Sequence, residues 1–184
     1  MNAQNETIGL FGGSFDPPHL AHVLVGTYVL SSTHVDRIVV IPTYVHPFSK
    51  KLAPYEHRLR MCELAFSDLK RVSVSDVEGV LGGESRTLRT VEHLSKEMPN
   101  KQLRLIIGSD LVKETERWHR FDQIKKMAPP LVIPRASLDI HSPLGIPPIS
   151  STEVRERLRT NEEMSGWLPE IVTEYIRTQK LYQD

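Results

Sequence analysis

The chain of 184 residues has little of what several classes of protein require. Cys62 is its one cysteine, which excludes an internal disulfide. Its 23 basic and 23 acidic residues balance to a formal net charge of +0, so the basic excess typical of nucleic-acid-binding proteins is missing. No apolar run approaches membrane-spanning length, and the polar N-terminus is unlike a signal peptide. These absences favour one ordinary globular domain in the cytoplasm.

Several common binding motifs are also missing. The chain has neither the dinucleotide pattern G-x-G-x-x-G nor the phosphate loop G-x-x-x-x-G-K-S/T. It has no cluster of cysteine and histidine that would supply a full set of zinc ligands. Any site for a phosphorylated ligand must therefore be built differently.

What the chain does contain is a distinctive turn over residues 12–22, which reads G-G-S-F-D-P-P-H-L-A-H. An apolar run of strand length, Ile8 to Phe11, precedes it, and an apolar stretch of helix length, Leu20 to Leu30, follows it. Glycines let a backbone approach a ligand closely, and a helix N-terminus attracts anions. His19 and His22 share one face of the predicted helix and can both donate to a phosphate. The alternative for such a pair is a purely structural role.

Strand-like and helix-like segments alternate along the rest of the chain. Strands are predicted at 8–11, 37–42, 72–75, 103–107 and 131–133, and helices at 20–30, 55–69, 85–98, 121–127, 152–159 and 169–179. Residues 44–54, 79–83 and 134–148 are predicted to be loops. This alternation indicates an α/β fold, a doubly wound parallel sheet with helices on both faces. Ligands of such sheets bind beyond the carboxyl ends of the strands, where residues 12–22, Lys50 and Lys51, residues 108–110 and Arg135 would meet.

A second candidate anion site lies near the other end of the chain. Ser150, Ser151 and Thr152 come at the start of a predicted helix, and Arg155 follows one turn later. Hydroxyls and backbone N–H groups converge at such a helix start, and an arginine adds a fixed fork of donors. A plain helix N-cap is the alternative for the serines.

These residues resemble motifs of one known family. The turn resembles the G-G-S/T-F-D-P-P-H form of the bacterial nicotinate-mononucleotide adenylyltransferases, members of the H-x-G-H nucleotidyltransferase superfamily. Residues 149–155 resemble the I-S-S/T-T-x-x-R motif of that superfamily, and Gly108-Ser109-Asp110 with Trp118 resembles its G-x-D…W arrangement. The resemblance runs from about residue 8 to residue 182. It implies a Rossmann-like fold in a single nucleotidyltransferase domain over 1–184, with a helical C-terminal portion from about residue 150.

The resemblance also implies an activity: ATP and nicotinate mononucleotide are joined into nicotinate adenine dinucleotide with release of pyrophosphate, a step of NAD biosynthesis. The expected partners are ATP and a pyridine mononucleotide, with no nucleic acid and no membrane, and a homo-oligomer is left open. The expected cofactor is Mg²⁺, held at Asp110. The implied catalytic residues are His19, His22 and Arg155. The implied nucleotide-binding residues are Gly12, Gly13, Ser14, Phe15, Gly108, Asp110, Arg135, Ser150, Ser151 and Thr152. The implied substrate-binding residues are Lys50, Arg86, Thr87 and Trp118.

Four departures from the family pattern leave alternatives open. Ala21 replaces the glycine of H-x-G-H and is expected to narrow the space between helix and ligand. Residues 48–51 are closer to the Ser-Lys-Lys of phosphopantetheine adenylyltransferases, Arg86 replaces a tyrosine, and the segment between Arg135 and Ile149 is short. Nicotinamide mononucleotide or phosphopantetheine as acceptor, and a non-catalytic nucleotide sensor, therefore remain alternatives. We assign the tail from Trp167 to Tyr182 to packing.

Overall fold

Five parallel strands form one sheet at the centre of the computed structural model, which describes residues 6–46, 51–134 and 146–183. The strands are β1 (Thr7–Gly13), β2 (Arg37–Pro42), β3 (Val72–Val74), β4 (Gln102–Gly108) and β5 (Pro130–Ile133). Their order in the sheet is β3-β2-β1-β4-β5. The chain builds outward from β1 through β2 to β3 and then returns to place β4 on the other side of β1. The reversal makes the β1–β4 junction the switch point where ligands of such sheets bind.

Seven helices join and cover the strands in the described part of the chain. They are α1 (Leu20–Ser32), α2 (Tyr55–Ala65), α3 (Val77–Leu81), α4 (Thr87–Glu97), α5 (Phe121–Met127), α6 (Ser151–Arg159) and α7 (Glu170–Thr178). Two short 3₁₀ turns, Ser109–Leu111 and Lys113–Arg117, follow β4. None of the described helices is long and apolar enough to cross a membrane.

The strands bury side chains on both faces of the sheet. Leu10 packs in one apolar cluster and its neighbour Phe11 in the other, because successive strand residues point to opposite faces. The first cluster includes side chains of α4 and α5, and the second includes side chains of α1, α2, α6 and α7. Cys62 is fully buried in the second cluster. The predicted α/β fold with helices on both faces is confirmed.

The prediction of a loop over residues 79–83 is wrong in its first half. Residues 77–81 form α3, and only Gly82 and Gly83 have the positive φ angles of a turn, +65° and +67°. Gly79 serves close packing, because a Cβ atom there would lie 2.8 Å from Cε1 of Tyr55. Gly79 was thus misleading as a loop signal.

Candidate active site

The turn after β1 opens onto a cavity of about 790 Å³. Gly12, Gly13, Ser14 and Phe15 all line it. A Cβ atom added to Gly12 would meet nothing within 4 Å, so the backbone there borders open space that a ligand can enter. Phe15 is buried beneath the turn with φ of +46°, and its ring lies 3.1 Å from where a Cβ of Gly13 would be. At Gly12 the turn therefore presents its backbone to the cavity.

The two histidines stand at the start of α1 and line the same cavity. Their ring centroids are 3.7 Å apart. The backbone N–H of His19 donates to Nδ1 of His22 at 3.1 Å. Because Nδ1 accepts that bond, a neutral His22 carries its proton on Nε2 and presents an N–H donor there. His22 is half-buried and His19 is 1% exposed. The predicted pairing of the two imidazoles is present.

The C-terminal motif meets the turn at this cavity. Ser150, Ser151 and Thr152 line it, at the start of α6. Ser150 is the N-cap of α6 and accepts from the backbone N–H of Glu153 at 3.2 Å, so the cap interpretation of this serine is also correct. Ser151 Oγ donates to the carbonyl oxygen of Pro17 at 3.0 Å, which joins the two motifs directly.

Arg155 lies behind the turn and not on the cavity wall. Its guanidinium donates to the backbone carbonyl oxygen of Asp16 at 2.7 Å and lies 3.5 Å from Oδ2 of the same residue. A second nitrogen is 3.4 Å from Thr152 Oγ1. In this structure, therefore, Arg155 clamps the turn to α6.

The same cavity is lined by further residues that were expected to bind the nucleotide, the metal ion or the acceptor. Gly108 and Asp110 line it at the end of β4, Trp118 after the second 3₁₀ turn, and Arg86 and Thr87 at the start of α4. The half-buried Trp118 ring packs edge-on against Phe121, at a centroid distance of 5.8 Å. The exposed Arg86 guanidinium donates twice to Oε2 of Glu84, at 2.7 and 3.1 Å. Such an exposed ion pair is weak enough to exchange for a ligand carboxylate.

Four further positions singled out from the sequence are not on the cavity wall or cannot be placed. Lys50 and Arg135 lie outside the described residues. Lys51 is described, is exposed, and does not line the cavity. Ala21 does not line it either: it is 1% exposed and packs in the apolar cluster beneath α1. The expectation that its methyl narrows the ligand space is therefore wrong for this structure.

Sequence reasoning missed a buried arginine that supports the site. Arg58 is 1% exposed and donates to four backbone carbonyl oxygens, those of Ser14, Thr43, Tyr44 and Ala53, at 2.7–3.2 Å. It thereby ties the turn after β1 to the loop after β2. Burial lowers the pKa of Arg58, and the nearby carboxylate of Asp16 opposes that effect. The signal was its place on the inward stripe of α2 with Met61, Cys62 and Ala65.

Comparison with known sequences agrees with this geometry. The sequence profile described as cytidylyltransferase-like matches residues 10–157. A protein of Anaeromyxobacter dehalogenans named a probable nicotinate-nucleotide adenylyltransferase is 39% identical over 183 residues, 96% of each chain. A Thermotoga maritima protein of the same name is 35% identical over 186 residues, 92% of this chain and 90% of the relative. The chain therefore belongs to the cytidylyltransferase-like family, and within that family it groups with the nicotinate-nucleotide adenylyltransferases.

Solved structures with the same fold come from more distant relatives. A nicotinic acid mononucleotide adenylyltransferase of Plasmodium falciparum complexed with NaAD superposes with a TM-score of 0.77 at 20% identity, covering 97% of this chain and 98% of the other. The same parasite enzyme complexed with APC gives a TM-score of 0.74. At this level of identity the likeness establishes the Rossmann-like fold alone.

Proposed function

We propose that this protein transfers the adenylyl group of ATP to nicotinate mononucleotide, forming nicotinate adenine dinucleotide and pyrophosphate. One observation carries the proposal: residues of both anion motifs line a single cavity together with the aromatic ring of Trp118 and the side chain of Arg86. A volume of about 790 Å³ is in the range of sites for cofactor-sized ligands. The names of relatives sharing more than a third of their residues with this chain support the same activity.

The reaction is an in-line displacement at phosphorus. A phosphate oxygen of the mononucleotide forms a bond to the α-phosphorus of ATP while the bond from that phosphorus to the oxygen bridging the β-phosphate breaks. The electron pair of the broken bond leaves with pyrophosphate. A phosphate anion is already nucleophilic, so the step needs no protein base and no covalent intermediate. Catalysis is then positioning and stabilisation of negative charge.

The residues of the cavity match that requirement. The open backbone at Gly12 gives the triphosphate room to approach. His22 presents Nε2–H and His19 its imidazole to the phosphates whose charge grows in the transition state. Ser151, Thr152 and the N-terminal N–H groups of α6 face the same space and would hold the departing pyrophosphate. Arg155 keeps the two groups of donors in register by clamping Asp16.

The residues also fit a bound Mg²⁺ ion. Asp110 is an exposed carboxylate on the cavity wall, at the first turn after β4. Mg²⁺ is usually held by one or two carboxylates together with waters and substrate phosphates, which asks for no larger cluster of protein ligands. When bound, the ion supplies neutralisation of the triphosphate charge. We therefore propose Asp110 as its protein ligand.

The preference for nicotinate rests on the Arg86 side of the cavity. The Arg86 guanidinium can exchange Glu84 for the carboxylate of the pyridine ring, while Trp118 offers a face for stacking. Nicotinamide mononucleotide has no such carboxylate and leaves the pair of Arg86 and Glu84 intact. Location in the cytoplasm stays a prediction.

The test is a panel of acceptors supplied with ATP and Mg²⁺, with pyrophosphate release as the readout. We expect rapid release with nicotinate mononucleotide and at least tenfold slower release with nicotinamide mononucleotide. Pyrophosphate release with phosphopantetheine and with neither mononucleotide would show that phosphopantetheine, not nicotinate mononucleotide, is the acceptor. ATP binding without release for any acceptor would make the chain a nucleotide sensor. Arg86→Ala should reduce the preference for nicotinate, and Arg60→Ala, a change of an exposed arginine on α2 off the cavity wall, should not.

A further inference from the structure

In the C-terminal tail, Tyr182 contacts the buried carboxylate of Asp16, which lies in the turn after β1. Tyr182 follows Asp16 by 166 residues, and its hydroxyl donates to Oδ1 of Asp16 at 2.7 Å. The same oxygen accepts from the backbone N–H of Ala53 at 3.1 Å. Asp16 is 2% exposed, so these partners replace the water that the carboxylate would otherwise bind. Tyr182 thus contacts the motif from outside the cavity.

The backbone of the tail takes an uncommon path to make this contact. After α7, Lys180 and Tyr182 both adopt positive φ angles, +53° and +61°, which side-chain-bearing residues seldom take. The backbone N–H of Leu181 donates to the carbonyl oxygen of Ile176 at 3.0 Å and fixes the turn. Strained backbone persists only where the surroundings determine it strongly. The tail is therefore held in a specific position on the turn.

The hydroxyl is a dependable donor. Burial and the negative charge of Asp16 both raise the pKa of Tyr182 above its ordinary value of 10.0, so the hydroxyl keeps its proton at neutral pH. Two cations also interact with Asp16, Arg155 at 3.5 Å and the buried Arg58. The Tyr182 hydroxyl therefore belongs to a set of several groups that hold this carboxylate.

We infer that Tyr182 is a positioning residue for the phosphate site: its hydroxyl fixes Asp16, and Asp16 presents its backbone carbonyl to Arg155, which aligns the turn after β1 with the start of α6. The inference rests on the proposed function in that the aligned groups are those that would grip the triphosphate. Tyr182 itself does not line the cavity. Its effect on the ligand must act through Asp16 and Arg155.

The hydroxyl can be separated from the packing of the ring. Tyr182→Phe removes the donor and keeps the ring that packs against the apolar cluster. Tyr175→Phe is a matched control. Tyr175 lies in α7 and packs against the same apolar cluster. Its hydroxyl forms a hydrogen bond of 2.8 Å with Nδ1 of His57, and neither residue lines the cavity. Both variants lose one oxygen atom from the same region of the molecule.

The experiment measures ATP affinity by titration calorimetry and, separately, kcat and KM for ATP. We expect Tyr182→Phe to weaken ATP binding about tenfold, since the orientation of a charged buried group is lost, and Tyr175→Phe to change it less than twofold. Equal ATP affinity in Tyr182→Phe and the wild type would overturn the inference. If Tyr182→Phe folds poorly, Asp16→Asn, which weakens the same bond from its other end, should show the same loss of ATP affinity; wild-type affinity would overturn the inference there too.

A double variant tests whether Tyr182 acts through Arg155. In an Arg155→Ala background, Tyr182→Phe should weaken ATP binding less than twofold further, because the chain of contacts is already broken. If the two single-variant losses of ATP affinity multiply in the double variant, the inference is contradicted. Tyr182 would then contribute only to the general stability of the protein. A wild-type protein that binds ATP yet releases no pyrophosphate with any acceptor would refute the proposed function, whereas the affinity comparison would still decide the role of Tyr182.

Discussion

The hydroxyl of Ser151 donates to the carbonyl oxygen of Pro17, a residue 134 positions earlier in the chain, at 3.0 Å. This bond joins the two anion motifs, and residues of both motifs line one cavity. One motif comes from the first turn of a parallel sheet, and the other from the start of a helix near the C-terminus. Because both offer hydrogen-bond donors to the same space, a single polyphosphate can contact both.

His22 is expected to contribute mainly to the transition state. His22→Ala should lower kcat by about 10²–10³, the usual cost of removing one donor from developing charge. The melting temperature should stay close to that of the wild type, since His22 is only half-buried. His93→Ala is the control, because His93 lies on α4 and pairs with Glu97 away from the cavity. Steady-state pyrophosphate release measures both, and near wild-type turnover in His22→Ala would remove this histidine from the mechanism.

The methyl group of Ala21 is expected to affect the free energy of unfolding and not the affinity for ATP. Ala21→Gly restores the family's residue but places glycine inside α1, which should cost about 1 kcal/mol in the free energy of unfolding. The affinity for ATP should change less than twofold, because the methyl packs in the core. Urea unfolding and calorimetry measure the two quantities. A gain of several-fold in ATP affinity would show that the methyl does narrow the site.

Arg58 is expected to stabilise the fold from beneath the turn. Arg58→Met should lower the free energy of unfolding by about 3–5 kcal/mol, since it strips four carbonyl oxygens of their donor and leaves Asp16 with less compensation. Arg60→Met, on the exposed side of α2, should cost no more than about 0.5 kcal/mol. Urea denaturation compares the two, and similar losses for both variants would argue against the buried role.

Tyr182 makes the stability of the protein sensitive to alkaline pH. Its pKa is raised in the folded state, above the ordinary value of 10.0 that the unfolded chain keeps. The unfolded state therefore loses the tyrosine proton first, and the stabilisation from this group is complete below pH 10 and declines as the pH rises above it. The difference in free energy of unfolding between the wild type and Tyr182→Phe should shrink from pH 9 to pH 11. A difference that grows over this interval would contradict the assignment.

Local sequence features predicted the strands and the two anion motifs because these depend on neighbouring residues. Residues 38–42 are apolar throughout, as is typical of buried parallel strands. The turn of residues 12–22 carries its glycines, prolines and histidines in one continuous stretch. The fold class predicted the position of α6 beside that turn only in outline. The prediction also required the assumption that both motifs belong to one site.

The remainder depends on contacts between distant segments. Nothing near Arg58 in sequence shows that four carbonyl oxygens from two separate loops surround it. The tail was assigned to packing alone, yet Tyr182 also binds Asp16. Arg155 was expected to contact the ligand, and in this structure it instead holds the backbone of Asp16 and does not line the cavity. Hydrogen bonds of this kind are set by tertiary geometry, which no local pattern encodes.

The most direct measurement is a crystal structure of the protein with Mg²⁺ and a non-hydrolysable ATP analogue. We expect one triphosphate to lie between the two motifs, with phosphate oxygens within hydrogen-bond distance of both His22 Nε2 and the Ser151–Thr152 segment of α6. A triphosphate that contacts only one of these groups, or that lies outside the cavity, would contradict it.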